Sequence, residues 1–417
     1  MSSVSSGIAQ ELQQRLAKLS PAQRAVLELK LGIKSAAANV TADVIPRYDD
    51  GALAPLTPAQ EVLWTLQRAM PEVFAYNVPR LLEVKGDLDP EAMRAALNAI
   101  VARHDVLRTR FVTTADGPRQ KISADSAFDF EVLDLRGSFT TMDDAARDAA
   151  LAELIAERVR KPFDLETGPQ LRASVLQIAP DEWRVLLVLH HITSDESSRD
   201  ILFRELSALY TAARQGTLDA TLISLPVLPI RYADFARWQS EQSANGSLRE
   251  QIDYWRDRLS GLTTLELPTD RPRTSTPSFS GARHRVTFPA DVHAGVHALA
   301  RKNDVTPFMI LLAAMHVVLY RYTGQQDIAV GAPVSGRARA EVENVLGYFP
   351  AQVVLRTDVD PALSFSELVQ RVRATCLGAF DRQDVPLEQL MNELTDRVDS
   401  QQPLFRVCVQ MAGGAAS

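Results

Sequence analysis

The sequence predicts a mixed α/β protein with two lobes, and three observations support this. Helix-like and strand-like segments alternate along most of the chain, which is typical of folds that layer helices on sheets. The chain has 417 residues, whereas one domain usually has roughly 100–200. A proline-rich break at residues 225–229 separates two halves of similar size and element type. The interface between two such lobes is the default place for a substrate channel.

Composition is that of a soluble globular protein, with 46% hydrophobic and 23% charged residues. The net charge of −7 disfavours a nucleic-acid-binding protein, because such proteins need a basic face. The two cysteines, Cys376 and Cys408, belong to no CxxC or Cys/His cluster, so neither a structural zinc site nor a disulfide framework is expected. The sequence contains no run of 18 apolar residues and no signal pattern, which predicts a cytoplasmic protein without a membrane span.

Residues 1–49 are predicted to form a helical arm with a linker. Two short helices are expected at residues 8–19 and 20–31, the second because Ser20-Pro21 is a typical helix start. Two interpretations of this arm stay open: a packed N-terminal extension, or a docking element for a partner protein.

The first lobe is assigned to residues 50–225. Thr57-Pro58 marks its first helix start, and Leu97, Ile100 and Val101 share one face of its second helix. In chain order, the expected elements are a helix at 57–69, a strand at 76–85, a helix at 90–103, a strand at 106–113, a helix at 143–159, strands at 170–178 and 183–189, and a helix at 195–214.

The second lobe is assigned to residues 226–417. Apolar periodicity predicts its helices, and runs rich in β-branched residues predict its strands. In chain order, the expected elements are helices at 232–242 and 247–259, a strand at 281–288, helices at 290–302 and 307–323, strands at 327–333 and 352–358, and a helix at 365–382.

The segment most indicative of chemistry is an apolar run at residues 185–189 followed by His190 and His191. Adjacent residues of a strand point to opposite faces, so only one of the two histidines can face a given cavity. A neutral imidazole there can take a proton from an attacking amine or hydroxyl, and Asp195 can orient it or brace the turn. The alternative is structural: both histidines are satisfied by hydrogen bonds. A metal site is not expected, because adjacent strand residues cannot both reach one ion.

This segment and a series of further motifs resemble the condensation domains of nonribosomal peptide synthetases, whose signature is HHxxxDG. The resemblance covers about residues 50–410. The matching motifs, in order, are LTPAQEVLW (56–64), RHDVLRTRF (103–111), PFDL (162–165), HHITSD (190–195), YADFARWQ (232–239), LPTDRP (267–272), GAPVSGR (331–337), LGYF (346–349), DVPLE (384–388) and PLF (403–405).

The resemblance implies two lobes similar to chloramphenicol acetyltransferase, set in a V with a tunnel between them. An upstream donor and a downstream acceptor carrier protein would deliver substrates on 4'-phosphopantetheine arms, together with other synthetase modules. The acceptor amine would attack the donor thioester and form a peptide bond. No metal and no tightly bound cofactor is implied.

For individual residues, the resemblance implies that His191 is the functional histidine, as a general base or by positioning the amine, with His190 beside it. Asp195 would be mainly structural and would pair with Arg108, whereas His104 would only pack at a helix end. Further residues that match the family's motifs and are expected to support the site are Ser198, Gly336, Arg337 and Tyr348. The Ser335-Gly336-Arg337 stretch either approaches the tunnel floor or forms a turn that needs glycine, and the turn is favoured.

The sequence departs from the family pattern next to the active turn, where Glu196 replaces glycine and Ser197 replaces a usual tryptophan. The Glu196 carboxylate either alters the tunnel or caps the next helix in a capping box with Thr193, and the cap is favoured. Ester formation and a non-catalytic platform for partner proteins are the alternative functions, although intact histidines favour an enzyme. Because members of the family continue beyond the last motif, the second lobe is expected to lack its last elements.

Overall fold

The structure, a computed structural model, describes residues 44–48, 51, 53–125, 127–271, 281–394 and 403–411. The helices predicted at residues 8–19 and 20–31 lie outside the described residues, as does most of the predicted arm.

The described chain forms two compact units. The N-terminal unit comprises Val44–Ser247 and Ser335–Pro350, and the C-terminal unit comprises the described parts of Leu248–Val334 and Ala351–Ser417. The boundary therefore falls after residue 247 rather than at the proline-rich break. The physical reason is that the helix following the break packs Tyr232 and Phe235 into the core of the N-terminal unit.

Seven helices and seven strands are described in the N-terminal unit. The helices are α1 (Pro58–Ala69), α2 (Pro90–Arg103), α3 (Arg136–Phe139), α4 (Asp144–Arg160), α5 (Glu196–Gln215), α6 (Leu218–Ser224) and α7 (Tyr232–Ala244). The strands are β1 (Ala54–Pro55), β2 (Asn77–Lys85), β3 (Thr109–Thr114), β4 (Gly117–Ile122), β5 (Asp129–Asp134), β6 (Leu171–Ala179) and β7 (Glu182–His190). Short 3₁₀ turns occupy Asp105–Arg108 and His191–Thr193.

A four-stranded sheet positions the histidine-bearing strand at its centre, in the order β2-β7-β6-β5. β7 pairs antiparallel with both neighbours, whereas β5 and β6 are parallel. Leu187 and Leu189 enter the core that α2 and α5 cover, whereas Leu186 and Val188 enter a second cluster with Phe163. Because both faces of β7 are buried, its sequence is a continuous apolar run rather than an alternating one.

The segment Ser335–Pro350, named the excursion segment, belongs to the N-terminal unit, although the strands before and after it belong to the C-terminal unit. Its Val345, Leu346 and Phe349 are buried in the core with α2, α5 and α7. Hydrophobic burial therefore places motif residues 335–349 in the same unit as the histidines.

The C-terminal unit is built on a two-stranded antiparallel sheet and five helices among its described residues. These elements are α8 (Arg249–Arg258), α9 (Ala290–Lys302), α10 (Pro307–Thr323), β8 (Asp327–Val334), β9 (Ala351–Asp358), α11 (Phe365–Phe380) and α12 (Leu387–Glu393). Its core contains Trp255 of α8, Leu312 of α10, Val330 of β8 and Val372 of α11.

One predicted strand is absent and several short elements were missed. Residues 281–288, predicted as a strand, form no regular structure, and Val286 and Phe288 are more than half exposed. An alternating pattern makes a strand only where another strand offers hydrogen bonds. The strands β4 and β5 were missed because they are short, polar and only partly buried.

Among the described residues, no single helix has both the length and the apolar character needed to cross a bilayer, although α9 and α10 together, bent by 105°, satisfy those criteria by length and composition.

The packing of Gly331 in β8 yields a test of the C-terminal unit. A Cβ added there would lie 2.3 Å from the ring of Phe405, so we expect Gly331→Ala to lower the free energy of unfolding by about 1–3 kcal/mol. Gly295→Ala is the matched control, because that exposed position in α9 has nothing within 4 Å. It should be neutral or slightly stabilising. Urea unfolding measures both, and equal effects would refute the tight packing.

Candidate active site

The predicted catalytic residues come together where β7 ends. His190 is the last residue of the strand, His191 opens the 3₁₀ turn, and Asp195 is the N-cap of α5. The turn is anchored on its other side by the residue before β2, because the His191 amide donates to the Tyr76 carbonyl oxygen at 2.8 Å. The histidine turn is thus held between β7, the start of α5 and the residue before β2.

His190 points into the protein and is fully buried. Its Nδ1 accepts from the Ile192 amide at 3.1 Å, so the ring proton lies on Nε2, which faces Gln67 Oε1 at 3.4 Å. The rings of Tyr76 and Phe163 pack against it, with centroids 6.3 and 5.9 Å away. Burial lowers the pKa of His190 to about 3, and the nearby charges of His191 and Arg172 add to the effect. A neutral, enclosed imidazole suits the shaping of the turn rather than proton exchange with a substrate.

His191 points the other way and is half-buried. Its Nδ1 lies 2.7 Å from the Ser194 carbonyl oxygen, and because a carbonyl can only accept, Nδ1 carries the proton. In the neutral form of the ring, the lone pair is therefore on Nε2. The Tyr348 ring meets the imidazole edge to face, with centroids 4.9 Å apart. A general base needs this tautomer, because Nδ1 is held by a hydrogen bond and Nε2 is left to accept a proton.

The predicted pairing of Asp195 with Arg108 is wrong. The buried Asp195 carboxylate instead accepts two hydrogen bonds from Arg337, from Nη2 to Oδ1 at 3.0 Å and from Nε to Oδ2 at 3.1 Å. Arg108 is engaged elsewhere, with Asp105 and the Ser123 carbonyl. The physical reason is local: Arg108 ends a 3₁₀ turn that begins at Asp105, which places the two side chains together.

Asp195 also holds the start of α5. Its Oδ1 accepts from the Ser198 amide at 2.6 Å, which satisfies a helix N-terminal donor and places a negative charge at the positive end of the helix. The Phe349 amide points at Oδ2 from 3.4 Å. The carboxylate thereby links the histidine turn, α5 and the excursion segment.

Arg337 completes this link from the excursion segment. Its Nη1 donates to the carbonyl oxygens of Val342 and Val345 at 2.6 and 2.7 Å, and its guanidinium lies 4.1 Å from the Phe349 ring centroid. Its Nη2 also donates to Ser198 Oγ at 3.0 Å. Ser198 Oγ in turn donates to the Gly347 carbonyl oxygen at 3.0 Å. Both Ser198 and Arg337 were candidates for supporting the site, and here they are bonded to each other.

Gly336 forms the turn that precedes Arg337. Its φ is +63°, and an added Cβ would lie 1.9 Å from the Phe349 carbonyl oxygen. Only glycine fits such a position, which agrees with the interpretation of this stretch as a turn. The close approach allows Arg337 to reach Asp195.

The predicted capping box between Thr193 and Glu196 is also wrong. Asp195 is the N-cap, and the Thr193 hydroxyl donates to the His190 carbonyl oxygen at 2.9 Å. Glu196, about half exposed, pairs instead with Arg80 of β2 at 3.0 Å and with Arg199. Because α5 begins one residue after Asp195, the Glu196 side chain is directed at β2 rather than at its own helix N-terminus.

Sequence reasoning missed two glutamines on α1 that brace the turn. Gln60 donates to the Ile192 carbonyl oxygen at 3.1 Å, and the Gln67 amide is oriented by the Pro71 carbonyl oxygen at 2.9 Å. Seven residues separate them, so both lie on the buried face of α1 with Leu63. The sequence did contain a signal for them, because Gln60 and Gln67 are two polar residues on the helix face that is otherwise apolar.

His104, interpreted as helix-end packing, is buried at the end of α2. Its Nε2 lies 2.8 Å from Glu205 Oε2, which Arg103 also contacts at 3.1 Å. Burial alone would raise the pKa of Glu205, but the hydrogen bonds and charges of His104 and Arg103 outweigh burial and lower it. This cluster ties α2 to α5 on the covered face of the sheet.

The fold and the histidine turn agree with a family match. Residues 52–413 match the family model of the condensation domain, and the chain belongs to that family. The predicted resemblance to condensation domains of nonribosomal peptide synthetases is thereby confirmed.

Two curated relatives are large synthetases. The chain is 40% identical over 408 residues to phosphinothricin tripeptide synthetase PhsC of Streptomyces viridochromogenes, covering 97% of this chain and 37% of that protein. It is 36% identical over 365 residues to chondramide synthase of Chondromyces crocatus, covering 87% of this chain and 9% of that protein. The chain thus spans well under two thirds of the length of these relatives.

Solved structures share the fold. The X-domain from teicoplanin biosynthesis superimposes with a TM-score of 0.76 at 26% identity, over 88% of this chain and 79% of that one. The starter condensation domain of rhizomide synthetase, solved with C8-CoA, gives 0.73 at 25% identity, over 86% and 78%. These likenesses confirm the predicted α/β fold class.

The lowered pKa of His190 predicts a pH dependence of stability. The ordinary histidine pKa is 6.5, so between about pH 3 and 6.5 the unfolded chain binds more protons than the folded one. Stability therefore falls with decreasing pH in this window, and His190 should account for about 1.4 kcal/mol of the loss between pH 7.5 and 5.5.

Urea unfolding of the wild type and of His190→Gln at both pH values checks this. The variant is expected to be less stable overall but to lose about 1.4 kcal/mol less on acidification. An identical loss in the two proteins would show that His190 is not held neutral by the fold.

Proposed function

We propose that this condensation domain is catalytically active and forms an amide bond between a donor acyl thioester and the amine of an acceptor. The observation that carries the proposal is the His191 tautomer: Nδ1–H is bonded to the Ser194 carbonyl oxygen, so Nε2 is left as the base. Each substrate would arrive on the 4'-phosphopantetheine arm of a carrier protein, one upstream and one downstream. The phosphinothricin relative is a tripeptide synthetase, which supports this class of substrate.

The proposed reaction transfers the donor acyl group from the sulfur of its thioester to the acceptor nitrogen. The acceptor nitrogen attacks the thioester carbonyl, a C–N bond forms, and the C–S bond breaks. His191 Nε2 takes the proton that the amine loses and returns it to the departing thiolate. General base catalysis contributes about 10²–10⁴-fold, and alignment of the amine by the same nitrogen adds to it. The domain itself needs no metal or tightly bound cofactor for these steps.

A general base must be held in a fixed position relative to the substrate, and the contacts around the histidine turn hold His191 in this way. Asp195 is fixed by two hydrogen bonds from Arg337 and by the Ser198 amide. The His191 amide is fixed by Tyr76. His190 is proposed to act beside it as a positioning residue, because its imidazole is enclosed.

A second candidate function is a binding platform for another protein. The teicoplanin X-domain, which shares the fold at a TM-score of 0.76 and 26% identity over 89% of this chain and 80% of that one, has been solved as a complex with OxyB. A hydroxyl acceptor, giving an ester, is the third outcome, since it needs the same base.

Replacing the proposed base tests catalysis directly. Donor and acceptor carriers are loaded with aminoacyl groups, and transfer is followed by intact-mass spectrometry. We expect His191→Ala to lower the transfer rate by about 10²–10⁴-fold, because it removes both proton transfer and alignment. His284→Ala, at an exposed histidine of the C-terminal unit, is the matched control and should transfer at the wild-type rate.

The assay also separates the alternatives. A His191→Ala rate within about twofold of wild type would contradict the base and leave the proposal without its main support. No transfer by wild type with any amine, together with retained carrier binding, would favour the platform. Transfer only to hydroxyacyl acceptors would favour ester formation.

A further inference from the structure

Two histidines that play no part in the proposed reaction lie together in the C-terminal unit. His293 and His297 are one turn apart on α9, so their side chains share a face of the helix. Their ring centroids are 4.5 Å apart and their Nε2 atoms 3.2 Å apart. His293 is exposed and His297 is half-buried, so both can be reached from solvent.

The distance between the two Nε2 atoms allows both of them to bind one transition-metal ion. With metal–nitrogen bonds of about 2.0–2.1 Å, nitrogens 3.2 Å apart subtend roughly 100–105° at the ion, close to the tetrahedral angle of about 109°. A hydrogen bond between the two rings gives a similar distance, with one Nε2 donating to the other. Metal binding would need only a shift of that proton to Nδ1 of the same ring, because metal ions coordinate the deprotonated nitrogen.

We propose that His293 and His297 form a two-imidazole chelate for a late divalent transition metal such as Zn²⁺ or Ni²⁺. Imidazole ligands favour these ions, whereas Mg²⁺ and Ca²⁺ prefer oxygen. Among the described residues, no group of three or more His, Cys, Asp or Glu side chains is placed to hold a metal ion. The other coordination positions are therefore taken by water, and the bound ion is exchangeable.

A chelate at this place would stiffen a helix that is largely exposed. Ala300 is the one buried residue of α9, and the preceding residues 281–289 carry no regular structure. A metal bridging one turn opposes unwinding of the middle of the helix, because both ligands lie within residues 293–297 of α9. The expected consequence is metal-dependent protection of the α9 amides.

Isothermal titration of the tag-free full chain with ZnCl₂, NiCl₂ and MgCl₂ tests the proposal. The background carries Cys408→Ser, because that exposed thiol is an alternative ligand. We expect one Zn²⁺ or one Ni²⁺ per chain and no Mg²⁺. His293→Gln and His297→Gln should each weaken Zn²⁺ binding at least tenfold, whereas His284→Gln, at an exposed histidine outside α9, should bind as the background does.

Hydrogen exchange provides a second readout that does not depend on the variants folding identically. Zn²⁺ should slow amide exchange within residues 290–302 at least threefold in the Cys408→Ser background, but not in His293→Gln. Absence of stoichiometric binding, undiminished binding in both histidine variants, or protection confined to other segments would each overturn the proposal.

Discussion

The buried ion pair between Asp195 and Arg337 is the interaction on which the site depends. It joins residues 142 positions apart and fixes the turn that carries His191. Burial of two charges costs several kcal/mol in lost hydration, which the two hydrogen bonds and the Coulomb attraction offset. The pair is also surrounded by partners: Asp195 caps α5, and Arg337 donates to two carbonyl oxygens of its own segment. Its main contribution is therefore a unique geometry rather than a large net stabilisation.

The two adjacent histidines have identical side chains, but their different surroundings give them different roles. Burial among aromatic rings keeps His190 neutral by lowering its pKa, and both of its ring nitrogens have hydrogen-bond partners. His191, one residue later and on the opposite side, is bonded through Nδ1 to the Ser194 carbonyl oxygen. The end of the strand produces this division, because His190 is the last residue of β7 whereas His191 opens the 3₁₀ turn that follows. The carbonyl that orients His191 belongs to its own turn, so the contacts that shape the turn also set the tautomer.

Much of this could be predicted from the sequence, and the failures have physical causes. Long periodic helices such as α2 and α10, and the apolar strand β7, were predicted closely because burial imposes their patterns. The partner of Asp195 was predicted wrongly because either Arg108 or Arg337 can satisfy a buried carboxylate, and only the fold decides which one is near. Glu196 was predicted to cap a helix, but a capping box with Thr193 would have required that helix to begin earlier than it does. Hydrogen bonds between distant residues, such as Gln67 with His190, leave almost no trace in a single sequence.

The most direct test of the buried Asp195–Arg337 pair is a set of two double-mutant cycles on the free energy of unfolding. One cycle combines Asp195→Asn with Arg337→Met, and the other combines Asp195→Asn with Arg108→Met. The structure predicts that Arg337→Met alone costs about 3–5 kcal/mol and couples to Asp195→Asn by at least about 2 kcal/mol, because each change leaves the other charge buried and unpaired. The Arg108 cycle should be additive within about 0.5 kcal/mol. Strong coupling of Asp195 to Arg108, with additivity for Arg337, would contradict the pairing of Asp195 with Arg337.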